Sequence, residues 1–471
     1  LVHRAPCSVS IYLPTSRLPQ DAHTNRVGLT NMAAVALGQL REAAASDDDV
    51  RAIEDAVTSL AEDDDAWTEM ADTLVTYCVV HQPRRLLLPA RPIPQGTKPK
   101  EMAAFLFDDA MNRRYFEKVA RWCYYPATEM FTRMLDRGFK LGLGFSVSFL
   151  WQLRRWDRRL ANRFRRLVSH PNCELVGVEP YHGFAFALDI GLFQEEMKRG
   201  KAYAEDFFGK EIRVTDTTEM VLNNEIYFAL AQAGYTATML DGRPWVMEWR
   251  EPTRLYRHAG KDLAVFCRHH ELSDDVGYRF SNVGWVGHPL TADTYARLIR
   301  ETWGRMVFLG WDYETFGEHH NVDSGIFDFM SCLVDELTAQ KVEFLLPSEA
   351  VARFAGDAPD LPLPEFGTTW AGSGGMEFFL GNASQQAILR LMASALHKAR
   401  LTGRADLLDL ALWLLQSDNL HLIQWAGRSG SEAEVSAYFT PDEWWSLGGD
   451  RILFEQQNVY KNFIRAMDAF A

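Results

Sequence analysis

Polar and apolar residues alternate from Ser8 to Leu13, the pattern of a half-buried strand. Stretches rich in Ala, Leu and Glu at 27–46 and 49–62 then predict two helices. The acidic triplets Asp47-Asp48-Asp49 and Asp63-Asp64-Asp65 separate them, and acids at a helix start favour the positive end of its dipole. Residues 74–80 are a continuous apolar run, as in a buried parallel strand, and lead straight into His81-Gln82-Pro83. The stretch 84–100 holds Pro89, Pro92, Pro94 and Pro99 and predicts a loop. Beyond it, helical periods at 111–137, 150–168, 189–208 and 223–233 alternate with apolar runs. Those runs predict strands at 141–147, 173–178, 212–215, 236–240, 263–267, 306–311 and 342–346. Such alternation argues for an α/β fold, a parallel barrel or a wound sheet. From Ala383 onward strand signals vanish, and amphipathic helices are expected at 384–402, 405–416 and 452–470.

Composition narrows the class. The 471 residues are 47% hydrophobic and 24% charged, so disordered and fibrous chains are excluded. With 49 Lys plus Arg against 63 Asp plus Glu, the net charge is −14, and no nucleic-acid partner is expected. The six cysteines, Cys7, Cys78, Cys123, Cys173, Cys267 and Cys332, include no C-x-x-C pair. Neither a zinc knuckle nor a disulfide framework is readable, which points to a reducing compartment. No apolar run is long enough for a spanning helix and no signal peptide stands at the start, so no membrane association and a cytoplasmic location are expected.

Barrel enzymes carry their reactive groups where strands end. Four places have polar residues directly after an apolar run. The first is His81-Gln82-Pro83, which a simple proline turn also explains. The second runs from Glu174 to His182, where a histidine either hydrogen-bonds sugar hydroxyls or is satisfied in the core. The third is Thr218-Glu219, with Glu225 further into the next helix and Asp216 or Thr217 suited to cap it. The fourth and densest is Trp311-Asp312-Tyr313-Glu314-Thr315-Phe316-Gly317-Glu318-His319-His320. Its ligand types suit a metal, but no zinc-motif spacing occurs. Glu219 and Asp312 together offer the two carboxylates that glycoside hydrolysis needs.

In combination these segments resemble glycoside hydrolase family 57, over about residues 74–471. His81-Gln82-Pro83 is similar to the family's first conserved region and Glu174 through His182 to its second. Thr218-Glu219, followed by Asn223-Asn224-Glu225-Ile226, resembles the third, and Asp312 through His319 the fourth. Leu415-Gln416-Ser417-Asp418 resembles the fifth. The resemblance implies an incomplete (β/α)7 barrel followed by a C-terminal helical bundle. It implies Glu219 as nucleophile and Asp312 as general acid/base of a retaining, α-amylase-like enzyme on α-1,4-glucans. A 4-α-glucanotransferase or branching enzyme is the alternative: water as acceptor gives an amylase and a sugar hydroxyl a glucanotransferase, a difference that lies in how acceptor subsites exclude water. The fifth region departs from the common pattern at Asn419-Leu420-His421, Tyr181 stands alone after Pro180, and Trp311 replaces a common Met. The start of the chain, from Ala5 through Thr15, resembles the beginning of bacterial release-factor-like domains.

The resulting expectations are three units: a partial release-factor-like segment at 1–72, a catalytic barrel at 73–382 and a helical region at 383–471. His81, Gln82, Glu174, His182, Glu314, His319 and Asp418 are expected to bind an α-glucan or maltooligosaccharide. Trp249, Trp311 and Trp425 are expected to stack on glucose faces. No cofactor and no metal are expected. Two readings compete: a metal-dependent deacetylase using His81, His319 and an Asp, and a non-catalytic glycan-binding or ribosome-associated protein.

Overall fold

The computed structural model describes residues 22–43, 45–62 and 70–470. The alternating segment 8–13 and the triplet 63–65 lie outside them.

Among the described residues there are eight strands: β1 (Thr73–Val80), β2 (Leu141–Phe145), β3 (Cys173–Val176), β4 (Ala237–Asp241), β5 (Leu255–Tyr256), β6 (Ala264–Arg268), β7 (Met306–Asp312) and β8 (Glu343–Leu345). Parallel ladders join them in the order β3-β2-β1-β7, with β8 on the first three residues of β1. A second sheet has the order β4-β6-β5, in which β5 is antiparallel. Two parallel bridges, Gly177 to Thr215 and Val214 to Ala237, tie the sheets through the segment 214–215. On the other side the His269 N–H donates to the Phe308 carbonyl at 2.8 Å. The staves therefore run β1, β2, β3, 214–215, β4, β6, β7. Seven parallel staves, two of whose joins are single bridges and a third a backbone hydrogen bond, make an incomplete (β/α)7 barrel. The expected strand 212–215 is reduced to bridges because Asp216 turns away at once, accepting from the Thr217 N–H at 2.7 Å.

Small residues keep the barrel tight. A Cβ on Gly144 of β2 would meet the Tyr77 hydroxyl at 2.6 Å, so the inward ring of Tyr77 requires glycine there. The expected helix 111–137 is Asp109–Val119 and Tyr125–Asp136, joined by a π turn at Ala120–Tyr124. Pro126 explains the wide turn, since it has no N–H and its ring crowds the carbonyl four residues back. The expected loop 84–100 is shorter than foreseen, because Pro99 opens a helix, Pro99–Leu106, at a position where proline is favoured. No helix in the described residues is long and apolar enough to cross a membrane. Cys78, Cys123, Cys173, Cys267 and Cys332 are free thiols.

After β8 the described chain forms no further strand. The helices Ala383–Leu401, Ala405–Trp413 and Gly449–Ala466 pack beside the barrel. The segment 415–417 reaches its mouth. Leu415 O accepts from the Phe184 N–H at 2.9 Å, and the Ser417 N–H donates to His182 O at 2.8 Å. The Gln416 amide clamps the first loop, accepting from the Arg84 N–H and donating to the Arg84 carbonyl. The helical region thus supplies a wall of the barrel's open end.

The early helices, Ala22–Glu42 and Asp47–Glu62, pack on each other, with Arg41 paired to Glu54. Their buried Leu29, Ala33, Leu37 and Val50 belong to neither apolar cluster of the barrel. The barrel side begins at Met70, bridged antiparallel to Trp303. A variant lacking residues 1–69 is therefore expected to keep turnover within about twofold of the intact protein, since a unit with its own small core is separable. Measured turnover tenfold lower, with the barrel still folded by circular dichroism, overturns this.

Candidate active site

The ends of four staves and one helical segment converge. His81 follows β1, His182 follows β3, Glu219 follows the bridging segment 214–215, and Asp312 ends β7. Asp418 opens the short helix Asp418–His421 of the helical region. Burial patterns explain the placement: β1 and β3 are buried throughout, so the first polar side chains can face solvent only beyond their ends.

Glu219 is the most constrained residue of the group. Its φ of 55° is left-handed, and Met220 at 52° and His182 at 53° share that region. Non-glycine residues adopt it rarely, and strained backbone of this kind collects at functional sites. Its carboxylate is held from two sides. The Trp370 indole N–H donates to Oε2 at 2.9 Å, and the Ser417 hydroxyl to Oε1 at 3.2 Å. The Glu219 carbonyl accepts from the Thr369 hydroxyl at 2.7 Å, so the loop 368–375 grips this residue by backbone and side chain.

The two histidines stack, with ring centroids 4.3 Å apart and planes 22° from parallel. His81 Nδ1 lies 2.8 Å from Ser146 Oγ, and its Nε2 lies 3.0 Å from Asp418 Oδ2. His182 Nδ1 lies 3.2 Å from Ser417 Oγ and 3.7 Å from Glu219 Oε1. His81, His182 and Asp418 offer ligand atoms within 4.8 Å of one another. Near-parallel rings, however, send their nitrogen lone pairs side by side, whereas a metal at about 2.1 Å needs them to converge. The arrangement is a hydrogen-bonded stack.

Electrostatics separates the carboxyls. Burial, reinforced by the charges of Asp312 and Asp418, pushes Glu219 up to about 8. Burial pushes Asp312 up to about 6, against the pull of Arg268 and His81. Beneath them Asp216 is raised by burial to about 7 and accepts from the Tyr77 hydroxyl at 2.9 Å. For Asp418, burial is outweighed by His81, which holds it below the usual range. The site thus has one firmly ionised acid and three that share protons near neutral pH.

Other sequence candidates sit elsewhere. Trp311 is corrected: it is 2% exposed, points outward from β7, and donates to the Ser273 carbonyl at 2.9 Å, so it is core and no platform for a sugar. Glu174 is also corrected. Its buried carboxylate accepts from the Ser348 N–H at 2.8 Å, at the first turn of the helix Pro347–Phe354. Glu314 is buried, accepts from the Tyr124 hydroxyl at 2.5 Å and supports the His81 backbone from behind. The side chain of Gln82 is buried near Tyr124 as well. His319 is exposed, 5.8 Å from the Phe439 ring and outside the stack. Trp249 stands in solvent under the Arg250 guanidinium, and Trp425 packs on Trp445 at 4.8 Å. Asn223, not Asp216 or Thr217, caps the helix Asn224–Gln232. Trp370 and Ser146 escaped sequence reading, and Ser417 entered it only as a neighbour of Asp418. A tryptophan inside Gly367-Thr368-Thr369-Trp370-Ala371-Gly372-Ser373-Gly374-Gly375 was the available signal, since glycine-rich loops bring backbone close to a site.

Comparison with known proteins adds the last element. The 4-alpha-glucanotransferase of Thermococcus litoralis superposes with a TM-score of 0.58 at 15% identity, over 74% of this chain and 56% of that one. The GH57-type branching enzyme of Pyrococcus horikoshii gives 0.58 at 13% identity, over 83% and 97%. At such identities the likeness is one of fold. A Methanocaldococcus jannaschii protein named "Putative alpha-amylase" is 31% identical over 284 residues, 59% of this chain. The chain spans about 60% of the length of that curated relative. The model of Glycosyl hydrolase family 57 matches residues 80–362, more than half of the chain, and the protein belongs to that family.

Proposed function

We propose that the protein is a retaining enzyme on α-1,4-glucans, with Glu219 as nucleophile and Asp312 as general acid/base. The observation that carries this reading is the hold on Glu219. Both its carboxylate oxygens accept hydrogen bonds, from Trp370 and Ser417, at a strained turn within the field of Asp312. Two donors fix the attacking oxygen and spread its charge. No side chain among the described residues hydrogen-bonds the Asp312 carboxyl, which leaves it free to approach a glycosidic oxygen.

Glu219 attacks the anomeric carbon while the bond to the leaving oxygen breaks and Asp312 protonates that oxygen. Asp312 then takes a proton from water or a sugar hydroxyl, whose oxygen attacks the glycosyl carbon and releases Glu219. His81, held by Ser146 and Asp418, stacks behind His182, whose Nε2 is left for a sugar hydroxyl. The family, and relatives named as an amylase, a glucanotransferase and a branching enzyme, support an α-glucan as substrate.

Maltoheptaose and amylose, incubated with the protein with and without EDTA, test the reading. The expected result is a ladder of maltooligosaccharides with α configuration at the new ends, unchanged by the chelator. Products longer than the starting sugar assign transfer, and shorter products alone assign hydrolysis. No turnover of any α-glucan, or turnover abolished by EDTA and restored by zinc, overturns the proposal.

A further inference from the structure

Behind the carboxylate pair lies a buried charge cluster with no direct part in that reaction. Asp241 ends β4 and Arg268 ends β6, and they are register partners. Asp241 is fully buried. Its Oδ1 accepts from Arg268 Nη1 and its Oδ2 from Arg243 Nε, both at 2.8 Å. Arg268 donates further to Asp274 Oδ1 at 2.6 Å and to the Gly310 carbonyl at 2.9 Å. Gly310 lies two residues before Asp312 on β7. Arg243 donates from Nη2 to the Trp370 carbonyl at 2.7 Å. His270 Nδ1 completes the cluster, 3.4 Å from Asp241 and 3.5 Å from Asp274.

Two arms thus leave one carboxylate. One runs Asp241–Arg243–Trp370–Glu219, and the other Asp241–Arg268–Gly310 toward Asp312. Buried ion pairs of this kind add little net stability over well-packed apolar groups, so stability alone does not account for the cluster. The geometry points to Asp241 as a positioning residue that couples the two reacting carboxyls: it holds the donor on Glu219 through Arg243, and the strand end and positive charge beside Asp312 through Arg268. This rests on Glu219 and Asp312 being the reacting pair.

The signs follow from what faces each group. Asp312 feels Arg268 and the His81 ring, and the acids Asp418, Glu219, Asp216 and Glu314, with Tyr77 and Cys78 neutral beside it. Glu219 feels Asp312 and Asp418, with His182 nearby and Trp370 and Ser417 as donors. Of all these, Arg268 and Trp370 are the two tied to Asp241. With Asp312 at about 6 and Glu219 at about 8, the reactive form, Glu219 ionised and Asp312 protonated, is a minor one, and kcat/KM is a bell that breaks at the Asp312 value on its acid side and the Glu219 value on its alkaline side, falling as the two move apart.

Asp241→Asn leaves Arg243 without its counter-charge and Arg268 with Asp274 alone. The more positive field lowers Asp312, and the loosened Trp370 lets Glu219 rise. The bell therefore widens on both sides while kcat falls about 10²-fold and KM stays within about threefold. Trp370→Phe raises the alkaline limb alone, and Arg268→Met raises the acid limb. Damage that only depletes folded protein lowers the curve without moving its limbs, and that result overturns the proposal. Arg243→Met cuts the Trp370 arm alone and carries the test if Asp241→Asn does not fold; it is expected to raise the alkaline limb. A readout independent of turnover separates this proposal from the reaction it rests on. The Trp370 indole N–H resonance, identified by its loss in Trp370→Phe, is expected to titrate with Glu219 in the unmodified protein and to shift that titration upward in Asp241→Asn. Such a shift in a protein inert on glucans upholds the coupling and sinks the reaction. Turnover on glucans with unmoved limbs and an unmoved resonance does the reverse.

Discussion

Glu219→Gln is expected to abolish turnover on every α-glucan, by at least about 10³-fold, and to leave the fold intact. The amide matches the carboxylate in shape. Its oxygen keeps the Trp370 indole hydrogen bond, and its nitrogen donates to the Ser417 hydroxyl, reversing the bond now made at 3.2 Å. What is lost is the nucleophile, and nothing else in the site replaces a covalent partner at the anomeric carbon. Thermal stability moves the other way. A carboxyl raised to about 8 by burial binds its proton more tightly folded than unfolded. Its contribution is full below the unfolded value of about 4.3 and is lost as pH rises through about 8. The neutral amide escapes that loss, so the variant's Tm should equal or exceed that of the unmodified protein at pH 8. Azide supplies the missing nucleophile: added to Glu219→Gln with an activated α-glucoside, it should restore turnover and give the β-glycosyl azide. An inactive variant with a Tm several degrees lower attributes the loss to folding, and a variant with most of its activity removes Glu219 from the mechanism.

The barrel was legible because its strands are buried on both faces. Continuous apolar runs such as 74–80 and 306–311 can be little else when helical periods separate them, and the strand ends mark where polar side chains first meet solvent. The stave at 214–215 was overestimated, since two bridging residues and a four-residue strand look alike in an apolar run. Several helices, among them His270–Gly277, Ile326–Ala339 and Ser431–Phe439, were not foreseen. The first begins beside polar site residues, and its period is masked by Asp274 and Asp275, which pair with Arg268 and Arg279.

Direction was the harder matter. Trp311 and Asp312 are adjacent on β7, and alternation sends their side chains to opposite faces. Reading both as site residues ignored the pleat. Glu174 likewise lies on β3 at the level of Gly142, near the end of the barrel away from the mouth, where it meets Ser348. The contacts that complete the site come from far along the chain. Ser417 and Trp370 meet Glu219 across 198 and 151 residues, and no local pattern encodes those meetings. The cluster around Asp241 was invisible for the same reason, because its charges look like ordinary surface residues until β4 and β6 set them side by side.

Asp312→Asn is the second large effect, and its size should depend on the leaving group. General acid catalysis contributes about 10²–10⁴-fold when the departing oxygen needs a proton. A sugar alkoxide needs it, so turnover of maltooligosaccharides should fall by that range. An aryl α-maltoside carrying a nitrophenolate needs almost none, so formation of the glycosyl-enzyme from it should fall far less. The slow step then becomes release, because the same residue must take a proton from the attacking water. The variant should show a burst of nitrophenol equal to the enzyme present, followed by a slow steady rate, and azide should raise that rate by bypassing the need for a base. Asp312 suits this double part. It ends β7, the partly exposed last residue of a buried strand, and its carboxyl is raised by burial to about 6 with no protein hydrogen bond described on it. A group poised there is protonated often enough to act as acid and ionised often enough to act as base. Glu219, with both oxygens engaged, cannot approach a leaving oxygen so freely. Equal losses on aryl and sugar leaving groups, without a burst, would reassign Asp312 to substrate binding and leave the acid/base to be sought in Asp216, which lies beneath the pair at about 7.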